Sequence, residues 1–438
     1  MLSFAVAILV GSLLLSLPFS TKTGEAVPFI DALFTATTAT CVTGLVTVPT
    51  VTTWSVFGQI VILLLIQLGG LGVITVMAGI TAALHRKLGL SDRVLIQDAF
   101  NLNSLSGLSE FIKKVIFGTF IAEGIGALLY MTVFIPEFGA RGIWISVFNS
   151  VSAFCNAGID IIAEDSLCGY ATNPIINITT SLLIILGGLG FIVWWDIARV
   201  FKDKSIKKNK AFNHLTLHSK IALSSTVLFI VLGGVLIAAL EWTNPETIGE
   251  MSTLQKLQAA FFQSVTTRTA GFASVPQQNL TEGSSIVCLL LMFIGGSPVG
   301  TAGGIKTVTA AVLIAAAISA IKNREDVSLF SRRIPRAAVS KALGVVGMSF
   351  ATVFVSTLLL SAVSNASALD ILYETVSATA TVGLSRNLTP GLNLIGKIVI
   401  ITTMYLGRVG PISLAVAFKL KKQDTNLIKD PTENISVG

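Results

Sequence analysis

An all-α integral membrane fold, with eight spanning helices in four repeats about one axis, is what this 438-residue sequence predicts. Three features predict it: eight long apolar runs, loops that alternate between basic and nearly basic-free, and four short glycine-ended stretches at almost constant spacing. Composition agrees. Residues are 53% hydrophobic and 12% charged, with mean hydropathy +0.81. Soluble domains carry about 25% charged residues, so the apolar excess faces lipid. The formal charge of +7 comes from basic residues in short loops between apolar runs. Such charges set topology and do not mark a nucleic-acid-binding face. Cys41, Cys155, Cys168 and Cys288 show no metal spacing and no disulfide framework, although Cys155 and Cys168 fall on one predicted side, which leaves a single bridge open.

The apolar runs cover 2–19, 56–84, 111–135, 174–198, 218–240, 284–321, 339–363 and 394–420. A bilayer core about 30 Å thick needs ~20 helical residues, so each run can span. The first run has no basic leader and no small-residue cleavage site, and it reads as a retained span rather than a signal peptide. Segments 86–114, 199–220, 322–341 and the tail from 419 hold 22 of the 30 Lys and Arg. The alternate segments hold only Lys22, Arg141, Lys256, Arg268 and Arg386. By the positive-inside tendency the basic set is cytoplasmic and both termini lie inside.

Each external segment contains a stretch too short to span: FTATTATCVTGL, FNSVSAFCNAGI, FFQSVTTRTAGF and YETVSATATVGL. Small and hydroxyl residues lead to Gly44, Gly158, Gly271 and Gly383, separated by 114, 113 and 112 residues. An aromatic ring stands ten residues before each, at Phe34, Phe148, Phe261 and Tyr373. Spacing this regular marks four homologous units. The next apolar run carries glycines near its middle every time: QLGGLG (67–72), ILGGLG (185–190), FIGGSPVG (293–300) and YLGRVG (405–410). Close helix packing explains most of these. Each unit reads as outer helix, pore half-helix, glycine turn, inner helix.

Non-helical backbone at membrane depth is tolerated only where it is buried in protein or lines a water-filled cavity. Four re-entrant stretches meeting on one axis can offer carbonyl oxygens to a dehydrated cation. Glycine there permits positive φ and keeps side chains out of the path. The half-helices run inward, so their negative C-terminal ends favour cations. The candidate ion filter is Val42, Thr43 and Gly44; Asn156, Ala157 and Gly158; Thr269, Ala270 and Gly271; and Thr381, Val382 and Gly383.

The stretches ending TCVTG, CNAG, RTAG and ATVG resemble the pore loops of the Ktr/Trk/HKT superfamily of potassium transporters. With TTRTAGF, GGLG, IGGSPVGTAGGIKT and YLGRVGP the resemblance covers nearly all of the chain, and it is nearest to the KtrB membrane subunit, NtpJ type included. The resemblance implies a potassium-channel-like pseudo-tetramer around one central pore. It implies potassium uptake, with potassium held transiently by filter carbonyls, sodium as a second transported or stimulating ion, and no covalent cofactor. It also implies a homodimer in the cytoplasmic membrane of a prokaryote, seated on a cytosolic ring of RCK-type (KtrA/TrkA-like) nucleotide-binding regulatory subunits. The small, polar run 295–307 becomes an intramembrane gate loop under the filter, with Gly295, Gly296, Ser297, Gly300, Thr301, Gly303 and Gly304 as its residues. Arg408 lies eleven residues before the basic tail, too deep for easy snorkelling, and joins the gate as a positive barrier that pairs with its carbonyls. Lys306 can snorkel to the cytoplasmic surface. Cys41 and Cys155 stand where the family usually has hydroxyl or amide residues, and the short basic segment usual before the first helix is missing. Only the fourth stretch, with Thr381, Val382 and Gly383, approaches the full potassium-channel signature, which implies weaker potassium-over-sodium discrimination.

The repeats are drawn at 1–84, 109–199, 218–321 and 339–420, with a cytoplasmic tail at 421–438. Two other readings compete. A sodium-permeable or sodium-coupled secondary cation transporter with rocking halves would carry inverted-topology repeats, whereas these four share one topology. An enzyme would need a catalytic constellation at spanning depth, and no paired carboxylates, HExxH or GxSxG occur there; Glu123 stands alone.

Overall fold

The computed structural model describes residues 2–72, 76, 108–203, 205–207 and 210–410. The end of the first predicted repeat (77–84), most of the basic segment that follows it, the end of the last apolar run and the tail lie outside the described residues. One order of elements recurs four times. The first set is α1 (Leu2–Leu15), α2 (Phe29–Cys41) and α3 (Val56–Leu71); the second is α4 (Leu108–Phe138), α5 (Arg141–Phe154), α6 (Pro174–Leu189) and α7 (Phe191–Lys202). The third is α8 (Leu217–Glu241), α9 (Thr253–Thr266), α10 (Glu282–Phe293) and α11 (Thr307–Ile321); the fourth is α12 (Arg336–Ser361), α13 (Ala368–Ala380) and α14 (Leu394–Val409). A small antiparallel hairpin, β1 (Ser328–Leu329) with β2 (Arg332–Arg333), precedes α12.

The starts of α3, α6, α10 and α14 share one device. Ser55, Asn173, Thr281 and Asn393 each accept a hydrogen bond from a backbone amide of the first turn. Such caps satisfy donors that a helix start leaves without partners.

Three of these helices end at a glycine inside their apolar run, and the helix of the third set is interrupted where the small, polar run 295–307 was expected to leave it. Helix α3 stops at Gly72 (φ 81°), α6 at Gly190 (φ 88°) and α14 at Gly410 (φ 82°), all left-handed. At Gly190 the chain turns by 93° into α7. Helix α10 stops at Phe293, and residues 294–306 form a loop before α11. An apolar run reports burial or lipid contact; it does not report straightness, and a glycine at positive φ leaves the helix at no steric cost. By length and composition, three described helices can cross a membrane: α4 over Glu110–Phe138, α8 and α12. The bent pair α6 and α7 passes the same test together, while Ser3–Leu15, Val56–Leu71, Glu282–Phe293 and Thr307–Ile321 are shorter apolar helices.

Packing follows one rule across the sets. Within each, the first helix lies on the short second one: α1 on α2, α4 on α5, α8 on α9 and α12 on α13. Between sets, α3 packs on α5, α6 on α9, α10 on α13, and α14 returns to α2. The last set therefore closes on the first.

Three of the four aromatic positions ten residues before the glycines, Phe34, Phe148 and Tyr373, are fully buried in the middle of the short helices. The fourth differs: Phe261 is 43% exposed, and its neighbour Phe262 is buried. Helix α9 is displaced by one residue relative to its glycine, so Phe262 takes the buried place that the ten-residue ring has in the other sets.

Candidate functional site

The four short helices bring Gly44, Gly158, Gly271 and Gly383 together. A Cβ built on Gly44 would stand 2.7 Å from the Ala157 carbonyl oxygen, and one on Gly158 2.6 Å from that of Ala270. One on Gly271 would stand 2.4 Å from the Val382 carbonyl, and one on Gly383 2.2 Å from that of Thr43. Each glycine faces the next segment in chain order, and the fourth faces the first. All four have positive φ, from 64° at Gly158 to 101° at Gly44.

Two residues earlier, each segment holds a second left-handed residue that is not glycine: Val42 (φ 55°), Asn156 (58°), Thr269 (67°) and Thr381 (51°). This conformation is unfavourable for L residues, and most of all for a β-branched one. Hydrogen bonds to the short helices hold it. The amides of Thr43, Ala157 and Val382 donate to the carbonyls of Thr38, Ser152 and Ser377, each at 2.8 Å. The hydroxyls of the same three residues accept from the amides of Gly44 (2.9 Å), Ile159 (3.2 Å) and Gly383 (3.0 Å). The third segment departs again, because Val265 stands where the others have the hydroxyl. There Ala270 N donates to Thr266 O at 2.9 Å, and the Thr266 hydroxyl donates to Phe272 O at 2.7 Å. These hydroxyls escaped the sequence reading as individuals, although their recurrence six residues before three glycines was a usable signal.

The mid-helix glycines behave as packing residues. A Cβ on Gly69 would fall 1.9 Å from Thr40 O, one on Gly187 1.9 Å from Phe154 O, and one on Gly407 2.1 Å from Thr379 O. Each lets an inner helix touch the C-terminal end of a short helix.

Loop 294–306 is closed at its neck, where Gly295 N donates to Ile305 O (2.9 Å) and Ile305 N to Phe293 O (3.1 Å). It docks on the broken end of α6: Ser297 N donates to Gly188 O (2.8 Å) and Thr301 N to Gly187 O (3.1 Å). These are carbonyls that the break at Gly190 leaves without helical donors. Ser297 Oγ pairs with Thr307 Oγ1 at 2.9 Å. The Thr301 hydroxyl lies 3.0 Å from both Phe154 O and Asn156 Oδ1, and Gly303 N donates to Thr269 Oγ1 at 3.1 Å. A Cβ on Gly296 would strike Ala302, one on Gly300 the Gly187 carbonyl, and Gly304 is itself left-handed. The predicted loop residues are thus gathered directly beside the glycine segments. Arg408 joins them, donating to Thr301 O (2.8 Å) and Gly69 O (2.6 Å). Lys306, expected to snorkel, instead donates to Ala302 O at 2.6 Å.

Two sequence expectations change, those for Glu123 and Arg268. Glu123 is not alone: Gln67 Nε2 donates to it at 3.3 Å and Cys155 Sγ lies 3.9 Å from its other oxygen. All four cysteines are free, with Cys155 turned toward Glu123 and Cys168 toward the Ala273 carbonyl. Arg268, counted among the loop charges, is buried beside Thr226 O.

On the far side of the glycines from the loop lies a cavity of about 570 Å³ lined by all four of them and by Asp160, Glu164 and Asp165. Asp160 sits in the turn after its glycine, where burial pushes its carboxyl up to about 6.

Comparison with known proteins is consistent in kind. Residues 6–429 match the family model TrkH, described as a cation transport protein. The chain is 40% identical to the "potassium/sodium uptake protein NtpJ" of Enterococcus hirae, over 99% of this chain and 95% of that one. It is 37% identical to the "Ktr system potassium uptake protein B" of Bacillus subtilis, over 100% and 95%. The crystal structure of the potassium transporter TrkH from Vibrio parahaemolyticus superposes with TM-score 0.75 at 17% identity, over 95% of this chain and 84% of that one.

Proposed function

The chain belongs to the TrkH family of cation transport proteins, and we propose that it takes up potassium across the cytoplasmic membrane of a prokaryote along the axis of the glycine ring. The observation that carries this reading is the closure of that ring, with four glycines from four parts of the chain each too tightly placed to bear a side chain. Carbonyls around such a ring replace the hydration shell of a monovalent cation. Where φ changes sign between neighbours, as at Val42, Asn156, Thr269 and Thr381, the carbonyl alternation of an ordinary strand is lost and successive oxygens can line one side. The four sets are then four pseudo-subunits of one potassium-channel-like pore with eight spans, repeating over 1–84, 109–199, 218–321 and 339–420. The acidic cavity is the outer mouth and raises the local cation concentration. Loop 295–307 and Arg408 form the gate beneath the filter.

The Ktr-system relative supports a regulated assembly. The reading therefore includes a homodimer on a cytosolic ring of RCK-type nucleotide-binding subunits, both termini inside, and stimulation by sodium. A sodium-permeable or sodium-coupled variant of the same pathway is the second reading, favoured by the potassium/sodium relative and by the single Thr-Val-Gly among the four segments. Growth of a potassium-uptake-deficient bacterium on low potassium separates them, with and without sodium and the cytosolic subunit. Rescue by this chain supports potassium uptake; membrane expression without rescue in any condition sinks it. Rescue only in sodium points to the coupled variant.

A further inference from the structure

We propose that loop 294–306 holds the filter in its selective form as well as obstructing the path, with Thr301 as the positioning residue that couples the two. The inference rests on the reading of the glycine ring as filter and of the loop as gate. It starts from the four left-handed residues Val42, Asn156, Thr269 and Thr381, each in a backbone conformation that an L side chain resists. Such residues persist only where their surroundings over-determine them.

The loop supplies those surroundings for three of the four. The Asn156 side chain is buried, its Oδ1 accepts from the Thr301 hydroxyl at 3.0 Å, and its Nδ2 finds no partner among the described residues. Thr301 is thus the hydrogen-bond partner that fixes that side chain. The same hydroxyl reaches Phe154 O, at the last residue of α5, at 3.0 Å. Thr269 Oγ1 accepts from Gly303 N at 3.1 Å. Thr381 is packed so closely that a Cβ on Gly303 would fall 1.9 Å from its Oγ1. The fourth residue, Val42, is braced by Gly69, whose Cβ would fall 2.9 Å from Val42 Cγ2. Arg408 grips the Gly69 carbonyl with one arm and the Thr301 carbonyl with the other.

One loop and one arginine therefore brace the inner end of all four segments. The loop cannot leave the path without releasing Asn156 and Thr269. Once released, these residues can leave the left-handed region, and the carbonyls beside them lose their spacing. Ring geometry and carbonyl field strength set discrimination between alkali ions, so an opened gate passes sodium more readily relative to potassium.

Thr301→Val keeps the shape and removes the hydroxyl, Thr301→Ala is a second hydroxyl-free variant, and Thr301→Ser retains it. Rubidium and sodium uptake are measured in vesicles at matched amounts of membrane protein. Both hydroxyl-free variants should lower the rubidium-to-sodium uptake ratio about fivefold, the worth of one ordinary hydrogen bond, and Thr301→Ser should stay near wild type. In an Asn156→Ala background the effect of Thr301→Val should shrink by more than half, since the two act as a pair. Raised uptake with an unchanged ratio overturns the coupling and leaves the gate standing. An undiminished effect in the Asn156→Ala background overturns Asn156 as the route. A lowered ratio, combined with no gain in uptake when 297–303 is deleted, keeps the loop as the brace of the filter but removes the gate, and with it the coupling.

Discussion

At Gly44, a side chain has nowhere to go. The residue is left-handed, and its Cβ would overlap the neighbouring segment's carbonyl. Gly44→Ser forces a residue that disfavours positive φ, by about 1–2 kcal/mol, into a ring where the next backbone must also move. Potassium uptake should fall about tenfold, with sodium relatively spared; Gly158→Ser, Gly271→Ser and Gly383→Ser should act in the same direction. The ratio of rubidium to sodium uptake in vesicles measures it, and four folded mutants with an unchanged ratio would remove these glycines from the filter. Asp160 titrates beside the cavity that the four glycines line. Burial raises its carboxyl to about 6, so it is charged at pH 7 and neutral at pH 5. Lowering external pH from 7 to 5 should slow uptake about two- to threefold at low ionic strength. Asp160→Asn should be slow at both values, and an unaltered pH profile in that variant would rule the residue out. Arg408→Ala removes a positive barrier and frees Thr301 O, so cation flux should rise; collapse of the protein level in the membrane would instead make Arg408 a scaffold residue.

The inner helices are the elements where function and helix geometry conflict. Each begins with a side-chain cap, and each stops early, at glycines or at the 294–306 loop. In the third set the interruption runs over 294–306 and is anchored to carbonyls that the break in α6 makes available. A device in one set thus depends on a defect in another. Deleting Ser297 to Gly303 should raise cation flux severalfold and reduce its dependence on a cytosolic subunit. Flux that falls or stays level in a well-expressed deletion rules out the gate. From the sequence the small and polar composition of 295–307 was legible, because glycines concentrated there oppose a helix. Its docking on Gly187 and Gly188 was not, since those partners lie more than 100 residues away.

Across the whole molecule, the seams between sets use different chemistry. Trp144 Nε1 donates to Gln59 Oε1 between the first and second sets, and Leu167 N to Ala273 O between the second and third. Between the third and fourth, Arg386, held by Asp370 of its own set, binds Ser285 and the carbonyls of Gln277, Gln278 and Leu280. The last seam, which closes the ring, is an ion pair between Lys397 and Asp31 at 2.6 Å, with side-chain exposures of 16% and 9%. Breaking one partner of so buried a pair costs about 3–5 kcal/mol. Asp31→Asn should therefore lower the melting temperature in detergent clearly. The reversed pair, Asp31→Lys with Lys397→Asp, should recover only part of it, because a lysine in the first turn of α2 opposes the helix dipole. Equal stability of Asp31→Asn and wild type would show that this seam contributes nothing to closure.

The sequence by itself determined what depends on local demands along the chain. Apolar length marked where apolar helices lie, basic loops alternated, and the glycines at 44, 158, 271 and 383 counted the sets. These signals survive without tertiary knowledge because solvent and backbone act on each segment separately. Tertiary structure alone decided the order in which the glycines meet, the one-residue displacement that buries Phe262 in place of Phe261, and the partners of Glu123. It also decided that Thr301 reaches Asn156. Those contacts join residues far apart in the chain, and only simultaneous packing of all four sets brings them within hydrogen-bonding distance.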